Sequence, residues 1–314
     1  MLKATLAASA ALALLGAGCA SDGAAPGTPF EVSAEGEIAL PHDDFYPEGV
    51  AVGADGDVYV GSIARGEIYR LSRATKTMSL FAGGGADLMS IIGVYATFDG
   101  EAVYACSSDP TQSHGGRASE LVAFDADSGA VAGRYPLPGG GFCNDIYELS
   151  DGTIVVSDSG IGRVLRLRPG SEELQVLAQS PRWTGEGFNT NGLTTLNGDL
   201  YVVKYNEGLL FRVEPRTGDI DEVALDRKLQ GPDGLESLDD GSLLVVEGTA
   251  GALSIITLEG GMGRVETIAT GLDVPTTVAV YRNSAYVVQS QFDHLFGFDP
   301  TPPQQFALKR VALP

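Results

Sequence analysis

The stretch GPDGLESLDDGSLLVVEG, Gly231 to Gly248, decides the fold, because its layout returns along the chain. A Pro-Asp-Gly entrance leads into a short apolar strand, an Asp-Asp-Gly turn follows, and a more apolar strand runs from Leu243 to Val246. The same layout reads as YPEGVAVGADGDVYVGS from Tyr46, CNDIYELSDGTIVVSDS from Cys143 and NGLTTLNGDLYVVKY from Asn191. Weaker copies are IIGVYATFDGEAVYACS from Ile91 and TTVAVYRNSAYVVQS from Thr276.

Aligned on the residue before the first strand, Glu48, Ile92, Asn144, Asn191, Asp233 and Thr276 are equivalent and recur every 42 to 52 residues. That period is expected of a β-propeller whose blades are four-stranded sheets. Two looser runs complete each unit, such as Glu67 to Leu71 and Thr77 to Phe81. The second run of each copy tends to be apolar on both faces, which suits a strand sandwiched between blades. The expected fold is all-β: a six-bladed β-propeller of four-stranded antiparallel blades around a central channel.

In such a blade the first strand lines the channel, and every first strand starts on the same face. The six equivalent positions then form a ring at one mouth, and Glu48, Asn144, Asn191 and Asp233 bring oxygen-bearing side chains to it. Two carboxylates and two amide carbonyls, with no His or Cys, make a hard site suited to Ca²⁺. A competing reading is turn chemistry alone, since Asn-Gly, Asp-Gly and Asn-Asp are ordinary turn dipeptides. Glu48 fits that reading least well, because Glu is not a turn former.

The chain resembles the senescence marker protein, gluconolactonase and luciferin-regenerating enzyme family of six-bladed propellers. The likeness rests on Glu48 before Gly49, Asn144-Asp145, Asn191-Gly192 and Pro232-Asp233-Gly234, and it spans residues 45 to 300. Paraoxonases and diisopropylfluorophosphatases are more distant and carry a similar ring. The resemblance implies that Glu48, Asn144, Asn191 and Asp233 hold one divalent metal, usually calcium, and that Asp233 also assists proton transfer. Some sugar lactonases of the family carry Arg two residues before the third-blade Asn. Here that position is Phe142, which argues against a sugar-acid substrate.

The first residues read as an export signal. Lys3 supplies positive charge, Ala4 to Leu15 form an apolar core too short to span a bilayer, and Gly16-Ala17-Gly18-Cys19 ends it. The pattern resembles a lipoprotein signal occupying residues 1–18, with Cys19 lipidated, residues 19–29 a flexible tether and residues 30–314 a single propeller domain. With Ala20, rather than Asp, after the Cys, the resemblance implies, in a Gram-negative cell, the outer membrane, facing the periplasm or the cell surface. Phe30 to Leu40 is expected to close the ring against the last blade, with Phe306 to Leu313 another outer strand of that blade. Which of the two is outermost stays open.

A net charge of −21 and a pI near 4.3 argue against nucleic acid and anionic membrane surfaces as partners. Membrane attachment is expected only through the N-terminal lipid, the expected partner is a small-molecule substrate, and the protein is expected to be a monomer. Cys106 and Cys143 remain after Cys19, and they are either bridged in an oxidising compartment or two buried thiols.

The ring face also carries the loops joining second to third strands. These include the polar SSDPTQSHGGR from Ser107 to Arg117, a candidate lid, and the RWTGEGF segment from Arg182 enters the fourth blade there. Trp183 walls the pocket or packs between blades. Asp158 and Lys204 are candidate substrate contacts or edge salt-bridge partners. His114 and His294 are candidate proton carriers or plain loop histidines, with His114 counted among the substrate contacts. No Gly-x-Ser-x-Gly, His-Glu-x-x-His or phosphate-cradling loop is present. The expected activity is calcium-dependent hydrolysis of lactones or related esters. The alternative is a non-catalytic ligand- or protein-binding propeller with a structural calcium.

Overall fold

The computed structural model describes residues 30–31, 36–83 and 87–314. The expected signal segment, Cys19 and the tether lie outside the described residues. Two short strands come first, β1 (Phe30–Glu31) and β2 (Glu37–Ala39). A first antiparallel run of four follows: β3 (Pro47–Val52), β4 (Val58–Ser62), β5 (Glu67–Leu71) and β6 (Met78–Ala82). The second is β7 (Ser90–Ala96), β8 (Ala102–Ser108), β9 (Glu120–Asp125) and β10 (Val131–Pro136). The third is β11 (Cys143–Glu148), β12 (Ile154–Asp158), β13 (Arg163–Leu167) and β14 (Gln175–Gln179). The fourth is β15 (Thr190–Leu196), β16 (Asp199–Lys204), β17 (Leu209–Val213) and β18 (Ile220–Leu225). The fifth is β19 (Pro232–Ser237), β20 (Leu243–Glu247), β21 (Ala252–Glu259) and β22 (Met262–Thr270). Last come β23 (Pro275–Tyr281), β24 (Ser284–Gln289) and β25 (Ala307–Ala312), with one turn of helix, α1 (Phe292–Leu295), between β24 and β25.

The first hairpins are made by the turns the sequence announces. In four of them an Asp accepts the backbone N–H two residues on: Asp55 from Asp57, Asp99 from Glu101, Asp151 from Thr153 and Asp240 from Ser242. Such Asx turns let a side chain satisfy a backbone donor at the bend. The hairpin of β15 and β16 instead turns on Asn197-Gly198, both at positive φ, which matches the twist of the flanking strands.

The fold is all-β and propeller-like. Four four-stranded antiparallel sheets stand apart, while the fourth and fifth runs join in one nine-stranded sheet through parallel pairing of Ala224 with Met262 and Leu225 with Gly263. The innermost strands β3, β7, β11, β15, β19 and β23 touch in cyclic order, with β23 returning to β3. Their neighbours β4, β12 and β20 are buried on both faces, as their apolar sequences require. The apolar core is divided into six clusters, each shared by two consecutive runs. The hydrophobic effect therefore acts between sheets, which leaves the axis free for polar side chains.

The terminal strands resolve the open order. β25 pairs β24 and β2 pairs β25, so the N-terminal strand is outermost in the last sheet. Only Glu37–Ala39 does this. Phe30 and Glu31, expected in the same closing strand, instead pair in parallel with Ala269 and Thr270 of β22.

Candidate functional site

Each innermost strand carries one irregularity near its start. Regular pairing breaks after Pro47, Ile91, Cys143, Thr190, Pro232 and Pro275, and the next residues are Glu48, Ile92, Asn144, Asn191, Asp233 and Thr276. Such bulges re-aim a side chain while keeping the strand in its sheet. Five of the six residues line one cavity of about 90 Å³: Glu48, Ile92, Asn144, Asn191 and Asp233. Thr276 is engaged beside it, its Oγ1 donating to the Glu48 carbonyl at 2.9 Å.

The glycines that follow are not turn residues. Gly49, Gly192 and Gly234 lie inside β3, β15 and β19, and none takes a left-handed conformation. They clear space for the next strand: a Cβ on Gly49 would sit 2.2 Å from the Ile92 carbonyl oxygen, and one on Gly192 would sit 2.0 Å from that of Asp233. Turn chemistry therefore does not account for the Glu-Gly, Asn-Gly and Asp-Gly pairs.

Glu48 is 5 % exposed and Asp233 8 %, and among the described residues neither forms an ion pair. Glu48 Oε2 and Asn191 Oδ1 are buried without a hydrogen-bond partner. Burial, reinforced by the neighbouring carboxylates, holds both acids well above their usual range, and an Asn191 side-chain hydrogen bond partly offsets this at Asp233. Buried acidic oxygens without partners are costly unless something cationic meets them. The donor set, two carboxylates and two amides, fits a hard divalent ion.

The far halves of the innermost strands line a wider cavity of about 310 Å³ that includes Tyr95, Asp145, Tyr147 and Glu236. Burial pushes Asp145 up to about 6 against the N–H groups of Ile146 and Leu193, and burial with Asp145 nearby pushes Glu236 up to about 8. Sequence reading passed over this carboxylate pair. Each stands further along a strand already assigned to the channel, which was the available signal.

Three expected substrate contacts are corrected by the structure. Asp158 is fully buried and ion-paired to Arg163 at 2.8 Å, while its Oδ1 accepts the backbone N–H groups of Phe142, Gly160 and Ile161. Lys204 is equally buried and donates to the carbonyl of Arg182 and to Glu207. Trp183 sits edge-on to Phe211 at 5.8 Å, within the apolar cluster between the third and fourth runs. The pairing and packing demands of these large groups outcompete exposure to the cavity. His114 lies beyond the cavity lining, bonded to Asp109 and Ser113 within its loop, although Pro110 of that loop reaches the wall.

Residues not singled out as contacts form most of the wall. Ile63, Pro110, Phe142, Phe188, Tyr205, Phe292 and Phe296 stand around the ring. Cys106 and Cys143 form a disulfide with their Cα atoms 5.2 Å apart, tying the second run to the strand that carries Asn144. A separate group, Asp293 and His294 of α1 with Asp299 beyond it, does not line the cavity. His294 shares its Nδ1 with the Thr301 carbonyl at 2.8 Å.

Fold and ring together define a propeller-like protein with an oxygen-lined axial cavity. The strictosidine synthase-like N-terminal family matches residues 37–71. No curated protein matches the chain. Among solved structures, a calcium-binding regucalcin from Agrobacterium tumefaciens is similar at TM-score 0.65 and 16% identity, covering 91% of this chain and 97% of its own. A gluconolactonase from Xanthomonas campestris is similar at TM-score 0.61 and 17% identity, covering 92% and 99%. Virginiamycin B lyase from Staphylococcus aureus is similar at TM-score 0.61 and 17% identity, covering 81% and 80%. At such identities the likeness is one of fold.

Proposed function

We propose that the chain is a six-bladed propeller that holds a divalent cation, Ca²⁺, at its axial ring and hydrolyses lactones or related esters. The observation that carries this reading is the convergence of Glu48, Asn144, Asn191 and Asp233 from four strands on one cavity, with Glu48 Oε2 and Asn191 Oδ1 unpartnered. The six-blade count is supported by the cyclic contact of six innermost strands and by six inter-sheet clusters. Likeness of fold to a calcium-binding regucalcin and a gluconolactonase agrees with the same reading.

Glu48, Asn144, Asn191 and Asp233 would hold the ion, which when bound supplies polarisation of a substrate carbonyl and charge neutralisation at the ring. To Asp233 we assign the further role that the family resemblance suggests, accepting a proton from the attacking water at its carboxylate. Phe142, Phe188, Phe292 and Phe296 limit the entry of other water. The reading extends to an exported monomer anchored through Cys19 at the outer membrane.

The test is hydrolysis of a panel of aldonolactones, aliphatic lactones and aryl esters, with and without a chelator. Chelator-sensitive turnover that falls by orders of magnitude in Asp233→Asn is expected. No turnover of any compound would favour a binding propeller with a structural ion.

A further inference from the structure

The walls above the ring state what kind of molecule the cavity takes. Phe142 and Phe188 meet edge to face at 5.2 Å, Phe188 leans toward Tyr205 at 6.3 Å, and Phe292 packs on Phe296 at 5.8 Å. Among the described residues lining this cavity there is no Arg, Lys, His, Ser, Thr or Gln. Below the walls, polar atoms belong to the ring itself. The one other polar side chain is that of Tyr205, a single hydroxyl on one side of the wall. At the mouth Phe188 and Phe296 are each 43 % exposed, an apolar rim that water covers poorly.

Resting on the hydrolase reading above, we infer that the cavity selects lactones and esters carrying a hydrocarbon chain or ring, and discriminates against polyhydroxylated sugar lactones. The several hydroxyls of a sugar lactone taken below the rim lose water and find, apart from the ring, only the single Tyr205 hydroxyl in the wall, so most go unpaired. An alkyl group meets the faces and edges of aromatic rings, and each methylene removed from water there adds favourable burial. The carbonyl end faces the ring, where the polar side chains are gathered. Specificity thus arises from a polar floor and an apolar wall.

The experiment uses the calcium-loaded full chain with γ-butyrolactone, γ-hexalactone, γ-octalactone and glucono-1,5-lactone. Binding of the non-hydrolysable 2-ethyl-, 2-butyl- and 2-hexylcyclopentanones is measured in parallel by calorimetry. The expected kcat/KM rises roughly three- to fourfold per methylene along the alkyl series, and gluconolactone falls at least tenfold below γ-octalactone. Phe188→Ser and Phe296→Ser, at half-exposed positions, are expected to flatten the rise. A flat series, or gluconolactone turned over as well as γ-octalactone, would overturn the inference while leaving the hydrolase reading intact. Absence of all hydrolysis removes the hydrolase reading. In that case chain-length-dependent binding of alkylcyclopentanones with negative heat-capacity change still supports an apolar-ligand cavity, and no binding overturns it.

Discussion

Thr276 Oγ1 donates to the backbone carbonyl of Glu48 at 2.9 Å although 228 residues separate the two. The bond joins the last innermost strand to the first and fixes the backbone from which the Glu48 carboxylate reaches the axis. Thr276 also shares its hydroxyl with Ser290 at 2.8 Å, so the closure is a short buried network. Thr276→Val keeps the shape and deletes the hydroxyl. It is expected to lower unfolding free energy by about 1–3 kcal/mol, the cost of an unpaired buried acceptor, and to weaken calcium binding by loosening Glu48. Denaturant unfolding and calcium titration measure the two effects.

Asp233→Asn should reverse the sign of its effect with the state of the ring. Without a divalent ion, the change removes one of three buried acids, Glu48, Asp145 and Asp233, that disfavour one another's charge, so the chelated variant is expected to match or exceed wild type in stability. With calcium at about a hundred times its dissociation constant, wild type gains about 2.7 kcal/mol. The variant gains little. Thermal unfolding in calcium and in chelator reads the crossing, and a loss of stability equal in both conditions would count against the ring as a cation site.

Asp158 and Arg163 form a buried pair at 2.8 Å, with Arg163 Nη2 also donating to the carbonyls of Pro138 and Gly140. Asp158→Ala strands the guanidinium and is expected to cost about 3–5 kcal/mol, while the calcium response survives. A variant of wild-type stability with lost turnover would return Asp158 to the substrate.

The Cys106–Cys143 bridge closes a separation of 37 residues. Replacing both with Ser is expected to cost roughly 2–4 kcal/mol. Because Cys143 precedes Asn144, calcium affinity should fall as well. Thiol titration of the unfolded chain with and without reductant verifies the bridge first.

Glu236 carries a pH signature. Burial and Asp145 raise its proton affinity from the ordinary 4.5 to about 8. Between those values the folded chain holds a proton that the unfolded chain has released, so folding stability falls as pH rises through this window. Asp145, raised to about 6, keeps its own share of the dependence, while Glu236→Gln removes the share that Glu236 supplies. In chelated protein its advantage over wild type should grow between pH 5 and pH 8, by on the order of 1–3 kcal/mol after screening by water in the channel. Denaturant unfolding at the two pH values measures it.

Much of the architecture was legible in the residues themselves. Turn-forming Asp and Gly at fixed offsets, and apolar runs of strand length, repeat because each sheet solves the same local problem. Those constraints act within a few residues, and they put Glu48, Asn144, Asn191 and Asp233 at one register position that the structure gathers into one cavity. Even so, the Asn-Gly and Asp-Gly pairs could not be told from turn dipeptides by residue type, while the task of their glycines is clearance between adjacent innermost strands, a contact made across some forty residues of chain.

What only the tertiary structure decided is where large side chains on loops and strand ends finish. Lys204 and Trp183 carry no local mark of burial, yet one is held by carbonyls of a distant loop and the other fills a gap between sheets. Phe188, which ends the RWTGEGF segment, and Phe296 after α1 reach the cavity although neither is marked for it by its neighbours in sequence. The sequence alone determined the repeat and the ring register, because both follow from short-range hydrogen bonding and strand periodicity. The disulfide partner, the outermost strand and the cavity wall waited on the fold, because each depends on which distant surfaces meet when the sheets pack.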